Sequence, residues 1–203
     1  MLSAKDVLDA LQRDVTDSTK LSIVPAPDGA TLIARGATSI DLRLGRWFRT
    51  FKQTQYESDS LISPVPVDGG LTRTKLHFVP FGGKFVLHPG RFVLGATLEW
   101  LRLPGCLSGY VTGKSSLGRH GLVIEAAAGL HPKFSGCLTL ELSNVGETPL
   151  EIAPGMQICQ IFLHNTTDVG AEDSGKFSGQ RKPMLSSPRS DPIFDRLRDP
   201  IDH

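Results

Sequence analysis

Leu87-His88-Pro89-Gly90 runs into Phe92-Val93-Leu94, and further along Ile152-Ala153-Pro154-Gly155 runs into Met156 through Phe162. Each is a Pro-Gly turn opening an apolar strand, in which proline presets φ and glycine takes the left-handed position. Two such units predict similar hairpins stacked as a β-sandwich or jelly roll. Between them, Gly136-Cys137-Leu138-Thr139-Leu140-Glu141-Leu142 reads as a strand with leucine on one face and a lone carboxylate on the other. Ile40, Leu42 and Leu44 alternate with Asp41 and Arg43 in a half-buried strand closed by Gly45. With 21 glycines, 14 prolines and few long helical patterns, the chain is expected to be mostly β and rich in turns.

Helices enter at the two ends. Ser3 and Asp6 form a capping-box pattern ahead of Ala4, Val7, Leu8 and Leu11, which predicts one short amphipathic helix. Asp191-Pro192 caps a short helix with Ile193, Phe194 and Leu197 on one side. Residues 52–70, broken by Pro64, Pro66, Gly69 and Gly70, read as a loop. From Asn165 the chain turns polar and has the composition of a disordered segment. The expected organisation is a β domain over 1–164 and a flexible tail over 165–203 that forms a lid.

A length of 203 residues suits one domain with a proper core. The balance of 22 basic against 21 acidic residues gives no broad surface for nucleic acid or membrane, so any anion site must be local. Cys106, Cys137 and Cys159 are widely spaced, as small buried hydrophobes of a reducing compartment are; they suggest neither a disulfide framework nor a zinc site. The N-terminus carries Lys5, Asp6, Asp9, Arg13 and Asp14 in place of an apolar signal core, and no run approaches spanning length. A soluble, cytoplasmic protein is expected.

Gly113-Lys114-Ser115-Ser116-Leu117-Gly118-Arg119 sets two cations and two hydroxyls in seven residues. It is no P-loop, because Ser108 stands where the first glycine of that motif belongs. A bare string of this kind is most often a surface turn. Arg119, four residues beyond Ser115, falls on the same side if a helical turn follows, making an anion or carbonyl clamp. Glu141 either points to solvent or, if partly buried, exchanges protons near neutral pH. The histidines make neither H-x-E with P-C-x-x-C nor H-E-x-x-H, so no protein-held catalytic metal is expected. Lys176-Phe177-Ser178-Gly179-Gln180 offers a cation, an aromatic ring and an amide within the polar tail.

In order along the chain these pieces resemble the dCTP deaminase family, which shares its fold with trimeric dUTPase. Ser39 through Gly45 is similar to its "S-x-D-L-R-L-G" strand. Phe85 through Gly90 with Leu94, Thr97, Glu99 and Pro104 is similar to its central block. Gly113 through Arg119 resembles "G-[RK]-S-S-L-[AG]-R", and Phe134 through Leu142 the strand bearing the catalytic glutamate. Lys176 to Gln180 resembles "K-[YF]-x-x-Q". The resemblance implies a distorted jelly roll of the dUTPase-like type, assembled as a homotrimer with sites between subunits. It implies zinc-independent deamination of dCTP to dUTP and ammonia, with Glu141 moving protons and Ser115 and Arg119 aligning the water and the C4 substituent. By the same resemblance Lys114, Ser116, Lys176 and Gln180 would grip the triphosphate, whose Mg2+ would ride on the phosphates. The resemblance likewise implies that the main chain at Ala127 meets the pyrimidine and that His131 stands where the sugar is met, with dTTP a candidate inhibitor.

The chain departs from the family's "T-A-G-x-I-D-P-G-[FW]" at Ala126 through Phe134: His131 replaces an aspartate, Lys133 a glycine and Ala126 a threonine. Glu125 adds a second acid close to the site, and the tail has no tyrosine before Lys176. The lost aspartate favours release of dUTP over hydrolysis to dUMP. The alternatives are a bifunctional deaminase–diphosphatase or a dUTPase giving dUMP, and a non-catalytic trimer that binds deoxynucleotides.

Overall fold

The computed structural model describes residues 1–52, 74–125, 129–167, 178–185 and 192–198. At the N-terminus Ser3 caps α1 (Ala4–Gln12): its hydroxyl accepts from the Asp6 amide, and the Asp6 carboxylate accepts from the Ser3 amide at 2.9 Å. Ala4, Val7 and Ala10 are its buried residues. A second helix, α2 (Gly29–Ala34), was not expected from the pattern. It buries no residue and starts where the Asp28 carboxylate accepts from the Ala30 amide, so capping rather than an apolar stripe defines it.

The strands, numbered in chain order, form antiparallel sheets. The largest contains β1 (Ser22–Val24), β3 (Trp47–Phe51), β4 (Thr74–Phe78), β6 (Phe92–Arg102), β8 (Leu122–Glu125) and β10 (Ser135–Asn144). Their order is β4-β3-β6-β10-β8, with β1 also paired to β6. A four-stranded sheet runs β2 (Ile40–Arg43), β12 (Gln157–Asn165), β7 (Leu107–Gly113) and β9 (Gly129–Leu130). β5 (Phe85–Leu87) and β11 (Leu150–Ile152) pair separately. Alternation sends Phe48, Val93, Leu101, Leu140 and Leu142 from the first sheet, and Ile40, Leu42, Val111, Ile161 and Leu163 from the second, into one core. The expected mostly-β sandwich is what forms.

Both Pro-Gly turns stand as the sequence predicts. The Arg91 amide donates to the His88 carbonyl across Pro89-Gly90, and the Met156 amide to the Ala153 carbonyl across Pro154-Gly155, with glycine φ values of 68° and 89°. A third turn of the same kind opens β10. The Phe134 amide donates to the His131 carbonyl at 3.2 Å, Pro132 takes the second position, and Lys133 takes the third at φ 66°. The pattern of the other two was hidden here because a lysine occupies the glycine's place.

The chain divides into two units, one of Met1–Thr50 with Leu76–Met184, the other of Phe51–Lys75 with Leu185–His203. In the second, the expected short helix is present as α4 (Pro192–Arg198), which follows α3 (Ser115–Gly118) of the first unit. Beyond Lys52, the loop expected at 52–70 lies outside the described residues, as do tail residues 168–177. Among the described residues no helix is long and apolar enough to cross a membrane.

Candidate active site

Register across the large sheet sets four residues in a row: Arg49 of β3, Leu94 of β6, Glu141 of β10 and Glu125 of β8. Directly paired antiparallel residues share a face, with Cβ atoms about 4.5–5.5 Å apart. Because Leu138, Leu140 and Leu142 enter the core, Glu141 and its neighbours stand on the opposite, outer face. Glu141 is half-buried there and Glu125 is exposed beside it. Two carboxylates therefore adjoin across β10 and β8, each the single acid of its strand.

A bulge between Cys137 and Thr139 tunes that strand. The Leu138 amide donates to the buried Thr97 hydroxyl at 2.9 Å, and that hydroxyl donates to the Glu99 carbonyl at 2.8 Å. Glu99 itself is buried, and burial raises its pKa above the usual carboxylate range; the Arg43 amide, donating to its Oε2 at 2.8 Å, partly opposes the shift. Sequence reasoning met Glu99 only as part of a motif and missed that it is a buried acid.

The GKSS turn does become a helical turn. In α3 the Arg119 amide donates to the Ser115 carbonyl at 3.1 Å, so the two residues lie one turn apart. The side chains of Ser115, Ser116 and Arg119 are exposed and make no hydrogen bond or ion pair among the described residues. Lys114 is held instead: its Nζ lies 2.6 Å from Asp41 Oδ1 and 3.4 Å from Gln157 Oε1. To reach a phosphate it must leave a half-buried partner. Moreover, α3 enters β8 at its Leu122 end, whereas Glu141 pairs with Glu125 at the other. Three residues of strand separate those ends by about 10 Å. Among the described residues no hydrogen bond or ion pair connects Ser115 or Arg119 to Glu141.

The tail comes back to β10. The Gly179 amide donates to the Ser135 carbonyl, the Cys137 amide donates to the Gln180 carbonyl at 2.8 Å, and Gly136 and Gln180 form a parallel bridge. The Gln180 amide nitrogen donates to the Cys137 carbonyl at 2.7 Å, and its oxygen accepts from the Thr139 hydroxyl at 3.4 Å. Thr139 is one step along the outer face from Glu141. His131 is exposed at the turn that opens β10. Ala127 and Lys176 lie outside the described residues. Among the described residues no three His, Cys, Asp or Glu side chains converge as a metal site.

With this geometry in place, the comparisons add the following. The model of the dCTP deaminase-like family matches residues 1–166. A protein of Corynebacterium diphtheriae named "dCTP deaminase, dUMP-forming" is 42% identical over 193 residues, 92% of this chain and 96% of that protein. One from Natronomonas pharaonis named "dCTP deaminase" is 38% identical over 192 residues, 92% of this chain and 96% of that protein. Among solved structures, the 2'-deoxycytidine 5'-triphosphate deaminase of Agrobacterium tumefaciens shares the fold with a TM-score of 0.57 at 22% identity; the match covers 81% of this chain and 47% of that one.

Proposed function

Because this chain belongs to the dCTP deaminase-like family, we propose that it deaminates dCTP and carries the product on to dUMP. The observation that carries the reading is Glu141, half-buried and held by register on the outer face of β10. There it takes a proton from a water attacking C4 of cytosine and passes it to N3. It then moves a second proton from the new C4 hydroxyl to the amino group, which leaves as ammonia while C4 becomes a carbonyl. A second water then cleaves the α–β phosphoanhydride of dUTP, giving dUMP and pyrophosphate.

Among the described residues no hydrogen bond or ion pair joins Ser115 or Arg119 to Glu141 of the same chain, and in the proposed reading a neighbouring copy in a homotrimer supplies them. Lys114, Ser116 and the tail residues Lys176 and Gln180 meet the triphosphate, which arrives with Mg2+ as part of the substrate. Ala127 offers main chain to the pyrimidine and His131 meets the sugar. The names of the most similar relatives move the preferred product from dUTP, which the sequence favoured, to dUMP. A dUTP-releasing enzyme is the second reading, favoured by His131 in place of the family's aspartate.

Glu141→Gln tests the chemistry. The expected result is a loss in kcat of about 10²-fold or more with dCTP affinity held within a few-fold, since general acid–base catalysis contributes about 10²–10⁴. A loss of less than about tenfold removes Glu141 from the role.

A further inference from the structure

Both tryptophans of the chain line a single cleft of about 600 Å³ on the outer face of the large sheet. Trp47 and Trp100 come from β3 and β6, Cys137 from β10, and Arg181 and Lys182 from the returning tail. Among the described residues no carboxylate lines it, while three cations, Arg46, Arg181 and Lys182, do. Lys182 Nζ sits 4.2 Å from the centre of the Trp47 ring, and Arg46 lies over Phe78 and Phe81. Arg181 has no hydrogen-bond or ion-pair partner among the described residues, and Trp100 no ring contact. Cys137 and Glu141 are four positions apart on β10, roughly 13 Å along the strand, so the cleft is set apart from the acid to which the deamination is assigned.

We propose that this cleft is a second binding site, for a nucleoside phosphate, with the base stacked on Trp100 and the phosphates on Arg181 and Lys182. Among the described residues, an indole without a ring contact and a guanidinium without an ion pair line the same cleft, which suits a ring that carries an anion. Three cations exceed what one carboxylate needs, and the volume suits a ring, a sugar and phosphates. Stacking on an indole tolerates any base, so the site accepts purines that a cytosine-reading pocket rejects. Occupancy pins the tail segment that also carries Gln180, which couples the cleft to the face bearing Glu141. The proposal stands on the cleft alone and does not depend on the deaminase reading.

The test uses intrinsic fluorescence of the full-length protein, because the only two indoles both report on the cleft. ATP is titrated in, with adenosine and inorganic tripolyphosphate as separate probes of ring and charge. Saturable quenching by ATP is expected, with each half-ligand at least about tenfold weaker. Arg181→Ala and Lys182→Ala, both at exposed positions, should each weaken it several-fold, and Arg119→Ala should leave it unchanged. No quenching at millimolar ATP, tripolyphosphate binding as tightly as ATP, or loss of the signal in Arg119→Ala overturns the proposal.

Discussion

At the scale of single residues, Lys133 concentrates most of what sets this chain apart. It is the described non-glycine residue with positive φ, at 66°, in the third position of the turn that opens β10. An L-residue there costs about 1–2 kcal/mol, because its Cβ crowds the following carbonyl oxygen. The turn nonetheless keeps the shape its two Pro-Gly counterparts have. Lys133→Gly is therefore expected to stabilise the protein by up to about 1 kcal/mol, the larger unfolded-state entropy of glycine offsetting part of the relief. Urea denaturation checks it; a destabilised variant would mean that contacts of the lysine side chain outweigh the strain. The sequence displayed the substitutions at His131 and Lys133 plainly. It could not display that the backbone keeps a glycine-like conformation with a lysine in place, because turn type is read from the residue that usually fills it.

At the scale of elements, β10 and the tail segment it captures decide how the face around Glu141 is finished. Gly136 has φ 146°, and a Cβ there would lie 3.1 Å from the Gln180 carbonyl oxygen and 3.2 Å from its amide nitrogen. Gly136→Ala should push the tail off the strand. Proteolytic cleavage after the core is then expected to speed up several-fold while KM for dCTP rises; unchanged cleavage would show that the tail docks without this close approach. Glu99, on β6, tests the buried side of the same sheet. Burial favours its protonated form, so its contribution to stability is present at low pH and lost as pH rises through its raised folded-state pKa. Wild type should gain stability relative to Glu99→Gln as pH falls from neutral towards the ordinary carboxylate range, where most other carboxylates are still ionised. Parallel curves for the two proteins would count against the buried acid. Strand alternation in β2 and β10 and the capping box of α1 were legible because period and capping chemistry are local. α2 was not, for it has no apolar stripe, and the docking of Gln180 was not, for its backbone bonds leave no trace in a polar composition.

At the scale of the whole molecule, the Pro-Gly turns and alternating strands foretold two sheets around one core, and apolar faces of both do meet there. The arrangement of the site was less legible, since it depends on which strands become neighbours. Glu125 and Glu141 lie far apart in sequence yet pair directly, while Ser115 and Arg119, closer to Glu125 in sequence, make no hydrogen bond or ion pair with Glu141 among the described residues. In the proposed reading a neighbouring copy of the chain brings the Arg119 guanidinium to Glu141. The most direct test is product analysis on the purified, full-length protein given dCTP and Mg2+, with ammonia, dUTP, dUMP and pyrophosphate followed together. Ammonia, dUMP and pyrophosphate appearing in equal amounts with little free dUTP is the predicted result; absence of ammonia would contradict the deaminase reading, and dUTP accumulating one-for-one with ammonia would contradict hydrolysis to dUMP.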